Sequence, residues 1–130
     1  MFRDIKDNVD VANSLPPLNA TNARTGTGVD LQGYDAAMMV LHVGLWTGGT
    51  HTPSLQDSTD NTTFAAVASS NLQGSFTAIT GTAQSNTVQR VGYNGGNRYV
   101  RAFTTVGNAT DICATAAVIV RSHANRKPLA

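Results

Sequence analysis

The sequence contains no glutamate and only two lysines among its 130 residues, and 13% of the residues are charged. An average soluble domain has about 25% charged residues, and both of these scarce types favour helices. In their place the chain carries 17 Thr, 11 Asn and 8 Ser. Threonine favours strands, and asparagine and serine favour turns. The composition therefore predicts an all-β protein with a polar but weakly charged surface.

The sequence also has a single cysteine, no long apolar run and a net charge close to zero. Each of these features excludes a class of protein. Cys113 is the single cysteine, so no internal disulfide bond can form, and we expect it to pack as a small apolar side chain. No stretch approaches the ~18 apolar residues of a membrane span, and residues 1–10 lack the apolar segment of an export signal. The net charge of +1 gives no long-range attraction to nucleic acid. We therefore expect cytoplasmic synthesis, with no membrane and no nucleic acid as partner.

The patterns that identify common catalytic and metal sites are missing from the sequence. The three histidines, His42, His51 and His123, do not have the spacing of metal ligands, and no serine lies in a nucleophile elbow. No glycine-rich loop leads from a strand into a helix, which is the arrangement that binds phosphate. The sequence therefore predicts a protein without enzymatic activity, metal or cofactor.

The most informative segment is residues 35–45, an apolar run interrupted only by His42. Read with a period of two, both of its faces are apolar, which is typical of a strand that is covered on both sides. Residues 112–121 repeat this pattern near the end of the chain. Because a sandwich of two sheets covers only the inward face of each strand, the outer faces need other cover. That cover could come from the N-terminal arm folded back, from the arm of a neighbouring copy or from the surface of an identical subunit, and we predict a homo-oligomer.

Short strand-like segments separated by turn residues fill the rest of the chain and predict an antiparallel β-sandwich. We expect further strands at residues 51–56, 64–68, 75–79, 88–93 and 98–105. Gly48 and Gly49 predict a hairpin between residues 35–45 and 51–56, and the Asn-Gly-Gly-Asn turn after residue 93 predicts a second hairpin. Residues 1–33 show neither the apolar period of a helix nor that of a strand, and they predict an extended N-terminal arm. One domain over residues 34–130 follows the arm.

Five short segments occur in a particular order along the chain. They are Gly-Val-Asp-Leu-Gln-Gly-Tyr-Asp-Ala-Ala at residues 28–37, Val-Gly at 43–44, Leu-Gln-Asp-Ser at 55–58 with Asp60, Val-Gly-Tyr at 91–93 and Arg-Tyr-Val-Arg at 98–101. In this order the chain resembles the head-decoration, or capsid-cementing, proteins of tailed bacteriophages. The resemblance spans nearly all of residues 28–128. It implies a jelly-roll-like β-sandwich that assembles as a trimer on the outer capsid surface.

The resemblance further implies a structural protein of the virion, made in the host cytoplasm, that bridges neighbouring major capsid proteins. Its partners would be the major capsid protein and copies of itself. We expect apolar residues of the arm, together with aromatic and basic residues of the sandwich, to make these contacts. The predicted contact residues are Val9, Val11, Leu15, Leu18, Tyr34, Trp46, Tyr99 and Arg101.

Two other functions are compatible with the sequence. Trp46 and the three tyrosines could form an aromatic platform for sugars, which would make the protein a carbohydrate-binding β-sandwich module on a virion surface. A low-copy subunit that completes the head or the tail would differ from a decoration protein only in its copy number. The sequence leaves both alternatives open.

Overall fold

The computed structural model describes residues 5–20, 22–107 and 112–124, which form ten strands in two packed antiparallel sheets. The strands are β1 (Val9–Ala20), β2 (Arg24–Thr25), β3 (Val29–Asp30), β4 (Tyr34–Trp46), β5 (His51–Ser58), β6 (Ala65–Ala66), β7 (Leu72–Gln73), β8 (Val88–Tyr93), β9 (Tyr99–Val106) and β10 (Cys113–Ala124). Two short 3₁₀ helices, Ser69–Asn71 and Thr82–Gln84, lie in the loops. The prediction of an all-β antiparallel sandwich is confirmed.

Successive parts of the chain lie in alternate sheets. The first sheet has the strand order β1-β10-β4-β8-β7, and the second has the order β2-β9-β5-β6, with β3 also paired to β9. The chain therefore crosses from one sheet to the other after β1, after β3, after β4, after β6, after β8 and after β9. This alternation between two packed sheets is that of a jelly roll.

β4 is the central strand of the first sheet, between β10 and β8, as residues 35–45 predicted. Its side chains Met39, Leu41 and Val43 point inward and are fully buried. Ile119 of β10 lies on the same inner face and is also fully buried. The second sheet and the loops complete this core with Val29, Leu55, Ile79, Val100 and Ala102. The core therefore lies between the sheets and draws on residues from both ends of the chain.

Both predicted hairpins are wrong. The glycine turn after β4 leads into β5, which belongs to the second sheet, and the turn after β8 leads into β9, which also belongs to the second sheet. Turn residues indicate only that the chain reverses, and they do not select its partner strand. Here β4 pairs with β10 and β8 within the first sheet, so each turn takes the chain across the core instead of back along the same sheet.

Buried side chains hold both of these crossing turns. The imidazole Nε2 of the fully buried His51 lies 3.1 Å from the carbonyl oxygen of Gly48, and Gly49 adopts a positive φ of 81°. In the second turn, the amide of Asn97 donates a hydrogen bond to the Tyr93 hydroxyl at 3.1 Å. Gly49 thus serves the sharp geometry of the first crossing, because L-residues rarely adopt positive φ.

Two predicted strands are shorter than expected. Of residues 64–68, only Ala65–Ala66 pairs with β5, and of residues 75–79 only Ile79 forms a bridge, to His51. The side-chain amide of Gln89 forms both hydrogen bonds of the Thr77 backbone. It accepts one from the Thr77 amide and donates one to the Thr77 carbonyl, both at 2.9 Å. Side-chain hydrogen bonds of this kind replace the ladder that a strand partner would supply.

The predicted N-terminal arm is extended, but its described part is built into the sandwich. β1 pairs along its length with β10, and β2 and β3 both pair with β9. Leu15 and Val29 reach the core, where they are 1% and 5% exposed. Residues 1–4 and 21 of the arm, and residues 108–111 and 125–130 of the domain, lie outside the described residues. The first and last segments of the chain therefore stabilise each other by strand pairing.

Ser14 connects the two sheets at the bulge between Asn13 and Leu15 of β1. Its side chain is almost completely buried, at 1% exposure. The Ser14 hydroxyl donates to the carbonyl of Thr27 at 3.0 Å and accepts from the amide of Ala102 at 2.9 Å. A Cβ on Gly26 would lie 2.4 Å from this hydroxyl, so the close approach requires glycine at position 26. One hydroxyl thus joins β1 of the first sheet to β9 of the second.

We expect Ser14→Ala to lower the free energy of unfolding by about 1–3 kcal/mol, because the buried Ala102 amide loses its acceptor. Ser54→Ala is the matched control, since the Ser54 hydroxyl makes only a 3.4 Å contact to the Phe103 carbonyl in a half-buried position. Urea unfolding measures both variants. Equal stability of the two variants would contradict the role of Ser14.

Candidate functional site

The outward side of the first sheet is an apolar surface, which we call the outer apolar face. Its apolar side chains are Val9, Val11, Val118, Val120, Met38, Val40 and Val88, and the exposed side chains of His42 and Arg90 lie among them, opposite Val88 and Val40. Val11 and Val88 are 56% and 61% exposed, and the other apolar side chains are partly covered by one another. Contiguous apolar surface of this kind marks interaction sites on soluble proteins.

The outer apolar face exists because the two strands that are apolar on both sides are neighbours. Val40 lies opposite Val118, and Met38 lies opposite Val120, in the register of β4 against β10. Val120 also lies opposite Val11 of β1. Cross-strand pairs of apolar residues on one face pack against each other and stabilise the sheet. The outward apolar side chains of the neighbouring strands therefore form one surface.

A groove with a volume of about 370 Å³ crosses the outer apolar face. Val9, Met38 and Val120 supply apolar lining, and Arg90 and Gln73 supply polar lining. Gly92 also lines the groove, and the Gln73 side chain lies so close that a Cβ on Gly92 would be 2.6 Å from its Oε1 atom. The face is therefore not flat, and it offers a hollow to an apolar side chain of a partner.

A second hollow of about 400 Å³ lies at the end of the sandwich, between residues 31–37 and the loop before β9. Arg98 beside it forms an ion pair with Asp30 at 2.8 Å, and hydrogen bonding from Arg98 lowers the pKa of Asp30. Arg121 forms an ion pair with Asp10. The arginine charges at this end of the sandwich are thus balanced within the chain.

Tyr93 joins the two sheets at the same end. Its hydroxyl donates to the Asp57 carboxylate at 2.8 Å and accepts from the Asn97 amide at 3.1 Å. Burial, together with the hydrogen bond to Asp57, raises the pKa of Tyr93 to about 12. The adjacent loop closes on the ring, since a Cβ on Gly95 would lie 2.3 Å from the hydroxyl oxygen. This tyrosine is therefore a structural residue, and its hydroxyl is not offered to a ligand.

One predicted contact residue is wrong. Leu15 lies in the core of its own chain with 1% exposure, because the bulge after Asn13 turns it inward, and it cannot contact a partner. Val9 and Val11 lie on the outer apolar face, and Leu18 is 58% exposed on β1. The contacts of these three residues stay predictions.

The four other predicted contact residues lie in different parts of the fold. At the end of the sandwich, the guanidinium carbon of Arg121 lies 4.6 Å from the centroid of the Tyr34 ring. Trp46 is half-buried against the core, and its Nε1 donates to the carbonyl of Gly49 at 2.8 Å. Tyr99 and Arg101 lie on the outward side of β9 in the second sheet. The structure therefore does not gather these residues into one site.

The residues that form the outer apolar face were missing from the predicted contacts, apart from Val9 and Val11. Met38, Val40, Val118 and Val120 were all visible in the sequence as the second apolar face of two strands. The signal was therefore present in the period-two pattern. The pairing of β4 with β10 brings these residues together on one surface, and no local sequence pattern reveals that pairing.

Within the described ranges, no three histidine, cysteine or aspartate side chains come together in a way that could hold a metal ion. The side chain of His123 lies outside the described residues. Asp60 uses its Oδ1 atom to accept hydrogen bonds from the amides of Thr62 and Thr63 and from the Ser58 hydroxyl. These bonds lower the pKa of Asp60 to about 2, so its carboxylate stabilises a turn.

In the same described part of the chain, no helix is long and apolar enough to cross a membrane.

Comparison with known proteins identifies a shared fold. No family model matches the chain, and no curated protein matches it in sequence. Among solved structures, the chain is similar to the PBSX exported protein XepA, with a TM-score of 0.56 and 14% sequence identity. The match covers 97% of this chain and 40% of XepA, so the chain spans less than half of that protein's length. At this identity the likeness concerns the fold.

We expect Tyr93→Phe to lower the free energy of unfolding by about 1–3 kcal/mol, because the Asp57 carboxylate loses a donor and the Asn97 amide loses an acceptor. Tyr99→Phe is the matched control, since the Tyr99 hydroxyl forms no hydrogen bond with the described residues and its removal should have little effect. Urea unfolding at pH 7 measures both. A Tyr99 variant that loses as much stability would contradict this role of Tyr93.

The same variant also tests the pKa of Tyr93. The folded protein holds the phenolic proton more tightly than the unfolded chain, because the pKa rises from 10.0 to about 12 on folding. The resulting stabilisation is complete below pH 10 and is lost as the pH rises to 12. Unfolding measured from pH 9 to 12 should therefore show a steeper loss of stability in the wild type than in Tyr93→Phe. Parallel curves would contradict the raised pKa.

Proposed function

We propose that the protein is a non-enzymatic structural protein of a phage particle, which binds the outer surface of the capsid and cements neighbouring major capsid proteins. The observation that carries this proposal is the outer apolar face. A single copy leaves Val11 and Val88 more than half exposed beside several partly exposed apolar residues. Each Å² of apolar surface removed from water contributes roughly 25 cal/mol. A protein with such a face is stabilised when another surface covers it.

The size of the outer apolar face supports self-association as part of this function. Its four strands are spaced about 4.8 Å apart, and residues 36–44 of β4 extend it by about 27 Å, so it covers roughly 500 Å² on one copy. Three such faces that meet around one axis together remove roughly 1,500 Å² from water, which is within the range of specific interfaces. We propose that copies of the chain contact each other through this face, in a homo-oligomer that the resemblance to decoration proteins makes a trimer.

The resemblance and the fold support a phage origin. The ordered segments between residues 28 and 101 resemble capsid-cementing proteins of tailed phages. The similar fold of the PBSX exported protein XepA is consistent with this origin. Attachment through several copies of an oligomer makes release slow even where one contact is weak, which is the property that a cementing protein needs.

The carbohydrate-binding alternative keeps Tyr34 and Tyr99, which are partly exposed, but loses the two other rings of the proposed platform. Trp46 uses its indole N–H within the chain, and Tyr93 is buried with both hydrogen bonds of its hydroxyl satisfied. A sugar platform needs exposed rings, and these two rings pack inward. A low-copy head or tail subunit would differ from a decoration protein only in its copy number for each particle, and counting copies distinguishes the two.

The decisive experiment counts copies of the protein in purified phage particles relative to the major capsid protein, by quantitative mass spectrometry. We expect hundreds of copies for each particle, because cementing requires attachment all over the shell. Particles that lack the protein should release their DNA at a lower temperature, and adding purified protein should restore the wild-type temperature. A dozen copies or fewer would indicate a vertex or tail subunit, and absence from the particle would refute the proposal.

Self-association is tested with Val11→Lys and Val88→Lys, whose wild-type side chains are 56% and 61% exposed and are therefore not needed to fill the core. Light scattering should give a multiple of 13.6 kDa for the wild type and a shift towards 13.6 kDa for both variants. Thr52→Lys adds the same charge at an exposed position of β5, on the other sheet, and should leave the mass unchanged. A monomeric wild type, or equal effects of all three changes, would contradict self-association through this face.

A further inference from the structure

The outward side of the second sheet has a different chemistry from the outer apolar face. On β9 the side chains of Tyr99, Arg101 and Phe103 point outward and are partly exposed, while Val100 and Ala102 between them are fully buried. The adjacent strand β5 contributes Thr52, Ser54 and Gln56 to the same side. We call this surface the arginine face. Arginine and aromatic residues are the types that dominate the energy of protein interfaces.

Arg101 is held in one position at the centre of the arginine face. Its guanidinium carbon lies 4.0 Å from the centroid of the Phe64 ring, and its Nε donates to Oε1 of Gln56 at 2.8 Å. An aromatic ring covers one flat side of a guanidinium and leaves its edges open. The two terminal nitrogens make no hydrogen bond to the described residues and stay available to a partner, and a side chain that is already held in place loses little conformational entropy on binding.

The charge of Arg101 is not balanced by an acidic group of the described residues. Asp30 balances Arg98, and Asp10 balances Arg121. Arg24 and Arg90 also form no ion pair with the described residues, but Arg24 donates to the carbonyl and the hydroxyl of Thr115, and Arg90 lies on the first sheet. None of the described residues forms an ion pair with Arg101, and β5 and β9 carry no other ionised side chain on this face. Arg101 is thus a fixed cation with an open hydrogen-bonding edge.

We propose that Arg101 anchors the protein to the capsid by binding the carboxylate of an acidic side chain of the shell protein. This proposal rests on the proposed function and adds to it the surface that faces the shell. The planar guanidinium donates two parallel hydrogen bonds to a carboxylate through its terminal nitrogens. The arginine face then binds the shell, while the outer apolar face on the opposite sheet binds copies of the chain.

The chemistry of the arginine face favours a carboxylate over the phosphates of nucleic acid. Binding to nucleic acid depends on neutralising several phosphates at once. The strands of this face supply one arginine, and the whole chain has a net charge of only +1. A single stacked arginine between aromatic residues is instead the composition of an anchor in a protein interface.

The test measures binding of purified variants to capsid shells that were assembled without this protein, by co-sedimentation at a fixed salt concentration. Arg101→Gln should weaken binding by about 10- to 100-fold, which is the effect of removing an interface anchor. Arg101→Lys keeps the charge but loses the paired hydrogen bonds, and should weaken binding by about 3- to 10-fold. Arg98→Gln is the control, because Asp30 already balances Arg98, and it should change binding less than about threefold.

The outcomes separate this inference from the proposed function. Failure of the wild type to bind shells would overturn the proposed function. Binding of the wild type with equal binding of Arg101→Gln would overturn the inference alone. Light scattering and thermal unfolding check that the variant retains its oligomeric mass and fold. If Arg101→Gln is unfolded at the assay temperature, the binding of Arg101→Lys tests the inference in its place. Binding of a double-stranded oligonucleotide that Arg101→Gln abolishes would assign the site to phosphate and contradict the carboxylate.

Discussion

The pairing of β4 with β10 is the constraint on which the rest of the structure depends. Both strands are apolar on both sides, and their register places Met39 opposite Ile119 on the inner face and Val40 opposite Val118 on the outer face. The inner residues are fully buried and hold the second sheet in place. The outer residues receive no such cover from the second sheet. One pairing thus creates both the core and the surface from which function is inferred.

Side-chain hydrogen bonds join the two sheets away from the apolar centre. The Ser14 hydroxyl links β1 to β9, and the Tyr93 hydroxyl links β8 to β5. Both groups are buried, so each bond also satisfies polar atoms that would otherwise be costly to remove from water. Apolar packing provides the driving force for the sandwich, and these bonds select how the sheets are aligned.

The two outward surfaces differ in a way that suits two partners. The outer apolar face presents valines and Met38, and it contains a groove that suits an apolar side chain. The arginine face presents Arg101, stacked on Phe64 and hydrogen-bonded to Gln56. Apolar contact is non-directional and suits close packing of copies, whereas an arginine fork has fixed directions and suits recognition of one group. The proposed cementing function uses both kinds of contact.

Composition and period-two alternation were enough to predict the all-β class, the central strand within Tyr34–Trp46, the strand Val88–Tyr93 and the two strands with apolar residues on both sides, because these signals act over neighbouring residues. The burial of Leu15 in the core, the crossing of both glycine turns between sheets and the contact of Val40 with Val118 became visible in the folded chain. These outcomes depend on pairing between strands that are far apart in the chain. Local patterns carry no information on such pairing, since many partners offer the same backbone hydrogen bonds and the packing of the whole core selects among them.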